Sequence, residues 1–198
     1  MAATTDHRTI QFRRPKTNRP KFNRSKRVVS HMPSIAELLE PTQVHCSFTA
    51  HSRKKILQLV AESLAKEAND EENSLNEIYD GLTERERLGS TGLGDGVAIP
   101  HCRMNCEKMQ CAFVSLSEAI DYESIDGEPV DLIFVLIVPT HENKAHLEML
   151  AILAHIFSES EFRQRLRSAT TDEELRTTML TIEREIAEQA NAAAVNRS

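Results

Sequence analysis

Four of the six glycines in this 198-residue chain lie within residues 89–101, a segment that ends in Pro100-His101. Glycine tolerates positive φ and lets backbone or ligand approach closely, so this spacing predicts a shaped loop. Pro100 fixes its own φ and stiffens the chain directly before His101. The segment lacks the Gly-Lys-Ser/Thr ending of a Walker A loop, and it is not a dinucleotide fingerprint following a strand. We therefore predict a rigid loop that presents one imidazole in a single orientation.

The size and composition of the chain indicate one globular domain. A chain of 198 residues can bury a sizeable core, which must be aliphatic because tryptophan is absent. The longest apolar run, residues 132–138, is too short to cross a bilayer, and no signal-peptide pattern is present. The four cysteines form no Cys-x-x-Cys pair, which is typical of a reducing compartment. We expect a cytoplasmic protein without membrane insertion.

The charge is divided unevenly along the chain. Residues 1–31 carry nine Lys and Arg against the single acid Asp6, whereas the remainder is strongly acidic. The first segment has little to bury, so we predict a disordered basic extension. It could bind nucleic acid or anionic lipid. The favoured alternative is an extension without specific function, or residues upstream of the true start. We predict a domain over residues 32–185, beginning at Met32, and a frayed tail over residues 186–198.

The hydrophobic periodicity predicts helices, then strands, then helices again. Capping boxes at Ser34 with Glu37, Ser74 with Glu77 and Thr171 with Glu174 indicate three helix starts. Apolar residues at helical spacing favour further helices over residues 52–68, 146–157 and 161–167. The helix predicted to start at Ser74 continues through Leu75, Ile78, Leu82 and Leu88. Short apolar runs over residues 111–116 and 130–138 predict strands, the second being central because both faces are apolar. This order predicts a single-domain α/β fold with a mixed β-sheet sandwiched by helices.

The glycine segment also carries a family resemblance. Residues 85–101 read Arg-Glu-x-x-x-Ser-Thr-Gly-x-Gly-x-Gly-x-Ala-x-Pro-His, which resembles the active-site segment of the type-2 (fructose/mannitol) enzyme IIA family of the bacterial phosphotransferase system. The match continues through residues 129–139 and through His146-Leu147, and it covers approximately residues 32–180. The family's fold agrees with the α/β sandwich predicted from the periodicity.

The resemblance implies a phosphohistidine at His101. A neutral imidazole has one lone-pair nitrogen to attack phosphorus, while its other N–H fixes the tautomer by donating to an acceptor. The implied donor is a small histidine-phosphorylated carrier that resembles HPr, and the implied nitrogen is Nε2. The chain would then act as a phosphocarrier rather than as a stand-alone enzyme.

Four further residues are candidates for phosphate binding. His146 matches the family's second active-site histidine and is predicted at a helix start, where backbone N–H groups favour phosphate. Arg85 is the candidate guanidinium, because its planar fork suits phosphate oxygens. Ser90 and Thr91 could donate hydroxyl hydrogen bonds to phosphate or simply cap the loop.

No cofactor or metal is expected. Transfer between two imidazoles needs positioning and oxyanion donors more than a metal ion. His101, Cys102, Cys106 and Cys111 do not have the spacing of a zinc knuckle. The family usually has glycine after its active histidine, where this chain has Cys102, so either that position is not left-handed or the loop differs.

The resemblance leaves three uses for this chemistry. The sequence of residues 90–101 favours the nitrogen-regulatory branch, in which phosphorylation changes the binding of regulatory target proteins. No fused IIB domain or membrane segment is recognisable, which favours the same branch. The first alternative is a sugar-specific IIA that passes phosphate to a IIB domain. The second is a IIA-like interaction module whose histidine no longer turns over, a role to which the basic extension could contribute.

Overall fold

The computed structural model describes residues 33–66 and 71–195, so the predicted basic extension lies outside the described residues. The helices and strands follow in the order α1 (Ile35–Leu38), a 3₁₀ turn (Pro41–Gln43), β1 (Val44–Phe48), α2 (Arg53–Ala65), α3 (Glu71–Arg87), β2 (Gly92–Gly94), β3 (Val97–Ala98), β4 (His101–Met104), β5 (Gln110–Ile120), β6 (Val130–Pro139), α4 (Asn143–Ser158), α5 (Ser160–Arg167) and α6 (Asp172–Val195).

The sheet is mixed and centres on β6, as predicted. The strand order is β1-β5-β6-β3-β2, with β4 pairing with β6 beyond the end of β3. Strand β5 runs parallel to β1 and antiparallel to β6, and β6 runs parallel to both β3 and β4. Strand β6 pairs along both edges, and its side chains are buried over nearly its whole length because helices cover both faces of the sheet.

The alternating side chains of β6 define two cores. Leu132, Phe134 and Leu136 belong to a cluster that includes residues of α1, α4, α5 and α6. Ile133 and Val135 belong to a second cluster, on the opposite face, that includes residues of α2 and α3. Each fully buried side chain of this size contributes about 1.5–3 kcal/mol through removal of apolar surface from water. The prediction of a sheet sandwiched by helices is confirmed.

The predicted helix starts are correct at Ser34 but wrong at Ser74. Ser34 Oγ accepts a hydrogen bond from Glu37 N at 3.2 Å, and the Glu37 carboxylate accepts from Ser34 N at 2.8 Å. Helix α3 instead begins at Glu71, so that Ser74 lies inside it.

The last helix begins and ends slightly differently from the prediction. Thr171 Oγ1 accepts from Glu174 N at 3.1 Å, but the Glu174 carboxylate returns to Thr170 N rather than to Thr171. Helix α6 continues to Val195, ten residues past the predicted domain end at residue 185. Ile186 packs against the core and alanines follow, so this stretch stays helical where we predicted a frayed tail.

The predicted glycine loop is largely a β-hairpin. Strands β2 and β3 are joined by Asp95 and Gly96, both with positive φ (54° and 79°), which is the type I′ turn that suits the twist of a hairpin. The Asp-Gly pair was the sequence signal for this turn, but the short strands beside it lack an apolar alternation. Strand β1 was also not predicted.

Candidate functional site

His101 is the first residue of β4, so the structure places it on a strand rather than in a loop. Strands β3 and β4 pair with consecutive stretches of β6, and Ile99-Pro100 separates them. Pro100 has no N–H to donate, but its carbonyl accepts from Leu136 N at 2.9 Å and keeps the chain beside β6. The sheet therefore sets the position of His101 through its central strand.

Each imidazole nitrogen of His101 has its own partner. Nδ1 lies 2.9 Å from the carbonyl oxygen of Ile99, which can only accept, so Nδ1 carries the proton. Arg85 Nε donates to Nε2 at 3.3 Å, so Nε2 holds the lone pair. The tautomer follows from this hydrogen-bond network. The arrangement leaves Nε2 as the nucleophilic nitrogen.

Arg85 reaches His101 from the last turn of α3. Its Nη1 also donates to the carbonyl oxygen of Gly89 at 2.9 Å, which ties the guanidinium to the segment that follows the helix. Among the described residues its Nη2 has no hydrogen-bond partner. The guanidinium is therefore held at Nε and at Nη1, and its Nη2 keeps donors for a ligand.

His146 lies in the first turn of α4 and faces His101. The centroids of the two rings are 5.4 Å apart, with the ring planes at 58°. His146 Nε2 is buried and finds no hydrogen-bond partner within the described part of the chain. A buried polar atom without a partner costs free energy, so this nitrogen would gain from a ligand oxygen.

Both imidazoles are held in the neutral form. Burial is the main cause that lowers the pKa of His101 below its ordinary value of 6.5; Arg85 lowers the pKa further, while the Ile99 carbonyl and Glu86 act in the opposite direction. Burial likewise lowers the pKa of His146, with smaller contributions from His101 and Arg103. A neutral His101 keeps its lone pair available at neutral pH.

The two histidines and Arg85 line one open cavity of about 650 Å³. Arg87 and Arg103 also line it, so cations outnumber anions around the imidazoles. Such an arrangement attracts phosphate oxygens. The structure thus brings together the three residues predicted to be catalytic.

Ser90 and Thr91 do not line this cavity, and their side chains form hydrogen bonds with other parts of the protein. Ser90 Oγ donates to the Tyr122 carbonyl at 3.1 Å and accepts from Gly92 N at 3.1 Å. The Thr91 hydroxyl donates to the Glu86 carboxylate. Of the two alternatives drawn from the sequence, these contacts match capping of the loop.

Cys102 lines the wall of the cavity but is buried in the core between β4 and α3, and it is not in the left-handed region. Burial raises the pKa of its thiol to about 12, so the thiolate that metal binding needs is disfavoured. Within residues 33–66 and 71–195 no cluster of three or more His, Cys, Asp or Glu side chains could hold a metal ion.

Sequence reasoning missed the contribution of Glu86. It is only 7% exposed, although it carries a charge. Ile78, Leu82 and Glu86 are spaced four residues apart and lie on one face of α3. A carboxylate on this otherwise apolar face was the sequence signal that Glu86 is buried. Leu88, which the periodicity had assigned to that face, lies beyond the end of α3 and is 86% exposed.

None of the helices in the described part of the chain has the length and apolar character needed to cross a bilayer.

The comparison with family models identifies the class of protein. Residues 37–181 match the model described as phosphoenolpyruvate-dependent sugar phosphotransferase system, EIIA 2. This match covers well over half of the chain, and the chain belongs to this family.

Within that family, the chain is similar to nitrogen regulatory proteins. It is 39% identical over 145 residues to the nitrogen regulatory protein of Pseudomonas aeruginosa, a match that covers 73% of this chain and 93% of the relative. The crystal structure of nitrogen regulatory protein IIA-Ntr from Neisseria meningitidis superposes with a TM-score of 0.68 at 35% identity, covering 73% of this chain and 97% of the other.

A more distant solved structure shares the fold alone. It is the complex of enzyme IIA for mannitol with phosphorylated enzyme IIB from Escherichia coli, with a TM-score of 0.58 and 17% identity, covering 73% of this chain and 99% of the other. The α/β sandwich is therefore common to regulatory and sugar-specific relatives.

Proposed function

We propose that the protein carries a phosphoryl group on Nε2 of His101, received from a histidine-phosphorylated, HPr-like carrier. The observation that carries this proposal is the pair of hydrogen bonds that protonates Nδ1 and leaves the Nε2 lone pair beside Arg85 and His146. Membership of the phosphotransferase-system family supports the reaction class.

The transfer requires no proton movement at His101. The Nε2 lone pair attacks phosphorus, the P–N bond of the donor breaks, and its electron pair returns to the donor imidazole. The Nδ1–H of His101 stays on the Ile99 carbonyl throughout. Arg85 shifts its hydrogen bond from Nε2 to a phosphoryl oxygen, which frees the lone pair and offsets the arriving negative charge.

His146 supplies a second donor in the proposed reaction. Its Nε2 has no hydrogen-bond partner among the described residues, and its ring lies next to that of His101. When this nitrogen carries its proton, it donates to a phosphoryl oxygen and stabilises the charge spread over the transferring group.

The donor protein docks on the apolar rim of the cavity. Leu88 borders it and is 86% exposed, and Leu147, next to His146, is 67% exposed. Large exposed side chains beside a reactive group indicate a contact surface for another protein. An apolar patch on the carrier would cover both leucines and exclude water from the transfer.

Regulation is the use we favour. The similarity to nitrogen regulatory proteins extends over nearly the whole length of the Pseudomonas relative. The phosphoryl group on His101 would carry about two negative charges, partly offset by the ring that keeps Nδ1–H, and so would change which protein surfaces can dock there. The alternative is onward transfer to a IIB domain, for which the mannitol complex provides the structural precedent. A domain that binds partners without phosphorylation is the third possibility.

Intact-mass measurement tests the phosphorylation. The protein is incubated with phosphoenolpyruvate, enzyme I and an HPr-type carrier, and one acid-labile, base-stable phosphoryl group is expected. His101→Ala should abolish it, with the circular dichroism spectrum confirming the fold. Undiminished labelling of that variant would refute the assignment.

Pull-down from one cell extract separates the uses. Phosphorylated wild-type protein and His101→Ala should capture different partners if phosphorylation regulates binding. Identical partner sets, together with rapid transfer to a IIB domain, would favour sugar transport. Absence of labelling under all conditions would favour the interaction module.

A further inference from the structure

Glu86 is a buried carboxylate that follows Arg85 directly in α3. Placing a carboxylate out of water is unfavourable unless hydrogen bonds or a cation compensate it. Glu86 is nevertheless 7% exposed, and the mechanism proposed above assigns it no step. Its partners show what the burial achieves.

Four groups surround the Glu86 carboxylate. Thr91 contributes two of them, its backbone N at 3.3 Å from Oε2 and its hydroxyl on Oε1. The Tyr122 hydroxyl donates to Oε1 at 3.4 Å, and Arg53 Nη1 lies 3.6 Å from Oε2. Arg53 is shared, because its Nη2 also pairs with Glu123 at 3.0 Å. The carboxylate is thus held mainly by neutral donors, two of them from one residue.

Thr91 connects this carboxylate to the active histidine. The Thr91 carbonyl accepts from Ile99 N at 3.0 Å, and the Ile99 carbonyl accepts from His101 Nδ1 at 2.9 Å. A continuous series of hydrogen bonds therefore runs from Glu86 through Thr91 and Ile99 to the imidazole. Arg85, the preceding residue of α3, contacts the other nitrogen of the same ring.

We propose that Glu86 is a positioning residue, which anchors Thr91 and Ile99 so that the Ile99 carbonyl holds His101 in the Nδ1–H tautomer with Nε2 in the cavity. Consecutive residues of α3 then control the two nitrogens of one imidazole, Arg85 directly and Glu86 through the backbone. The catalytic purpose of this arrangement rests on the proposed phosphoryl transfer, whereas the hydrogen-bond relay itself exists in the unphosphorylated protein.

Glu86→Gln is the direct test. The amide offers one acceptor oxygen where the carboxylate has two, so one of the two Thr91 bonds or the Arg53 contact is lost. The Nδ1–H tautomer of His101, read from its ¹⁵N shifts at neutral pH, should dominate in wild type and lose population in Glu86→Gln. Phosphoryl acceptance should slow about tenfold, as is typical for loss of an orienting partner, with kcat affected and KM for the carrier unchanged.

Two variants bracket this result. Glu77→Gln makes the same change at an exposed position of α3 and should leave the tautomer and the acceptance rate as in wild type. Glu86→Asp keeps the charge and both oxygens and should recover part of the tautomer population. A purely structural role predicts lower thermal stability for Glu86→Gln with an unchanged His101 tautomer.

If Glu86→Gln does not fold, Thr91→Val tests the positioning role of Glu86 in its place. It removes only the hydroxyl and should shift the His101 tautomer in the same direction by a smaller amount. A wild-type tautomer and kcat in folded Glu86→Gln, or in Thr91→Val where the first is unfolded, would overturn the proposal. Because the ¹⁵N measurement uses unphosphorylated protein, failure of wild type to accept phosphate would count against the proposed function and leave the relay intact.

Discussion

Gly81 and Cys102 pack directly against each other at the contact between α3 and β4. A Cβ atom placed on Gly81 would lie 3.0 Å from Cys102 Sγ and 3.5 Å from its Cβ. Cys102 therefore occupies the space that the missing side chain leaves. The helix that carries Arg85 approaches the strand that carries His101 through this pair.

Gly81→Ala should show this coupling in stability. Alanine in an exposed helix interior is about 0.5–1 kcal/mol more favourable than glycine, but here the new methyl group meets the sulfur. We expect Gly81→Ala to be neutral or destabilising in wild type and stabilising in the Cys102→Ala background, measured by urea denaturation. Additive effects in this double-mutant cycle would contradict the contact.

His146→Ala should fold normally but accept phosphate at least about tenfold more slowly, because loss of one oxyanion donor costs a few kcal/mol in the transition state. Single-turnover transfer from the phosphorylated carrier measures the rate. His155→Ala, on an exposed position of the same helix, is the matched control. A wild-type rate for His146→Ala would make this histidine an ordinary helix residue.

Stability should fall as the pH drops below 6.5. The folded pKa values of His101 and His146 lie below the unfolded value, mainly through burial, so the unfolded chain binds more protons between the two values. Their contribution is complete above 6.5 and is lost as pH falls through the folded pKa. Measured by denaturant unfolding, the free energy of unfolding should fall less steeply with decreasing pH in His146→Asn than in wild type. The carboxylates titrate in both proteins, so the difference reports on His146. Equal slopes would show that burial does not shift the pKa of this histidine.

Gly96→Ala should destabilise the protein by about 1–3 kcal/mol. Gly96 has a φ of 79°, and a Cβ there would meet Arg167 Nη2 and lie 2.8 Å from Asp131 Oδ1. These two side chains form an ion pair at 2.7 Å that fastens α5 to the start of β6. Thermal unfolding measures the loss; Gly127→Ala, where the φ is also positive but the space is open, isolates the backbone cost. Equal losses at both positions would rule out a contribution from the ion pair.

Deletion of residues 1–31 should leave the fold and phosphoryl transfer unchanged. The family match begins at residue 37, and α1 begins at Ile35. The truncated protein should retain the melting temperature and the transfer rate of the full chain. A large decrease in either quantity would show that the extension belongs to the working domain.

Local chemistry made much of this protein predictable from its sequence. The Ser34 capping box, the amphipathic helices and the doubly apolar β6 each follow from short-range patterns, because helix capping and burial on one or two faces depend on neighbouring residues. The motif of residues 85–101 indicated His101 and Arg85, and the histidine at the start of α4 completed the set of candidates.

Tertiary structure alone decided how those residues act. No local pattern states that the Ile99 carbonyl meets Nδ1, that Arg85 meets Nε2, or that the rings of His101 and His146 lie 5.4 Å apart. The burial of Glu86 and the filling of the space beside Gly81 likewise depend on elements distant in sequence. Hydrogen bonds and packing contacts act only between atoms that are close in space, and these partners are far apart in the sequence. Only the folded chain brings them together to form the site.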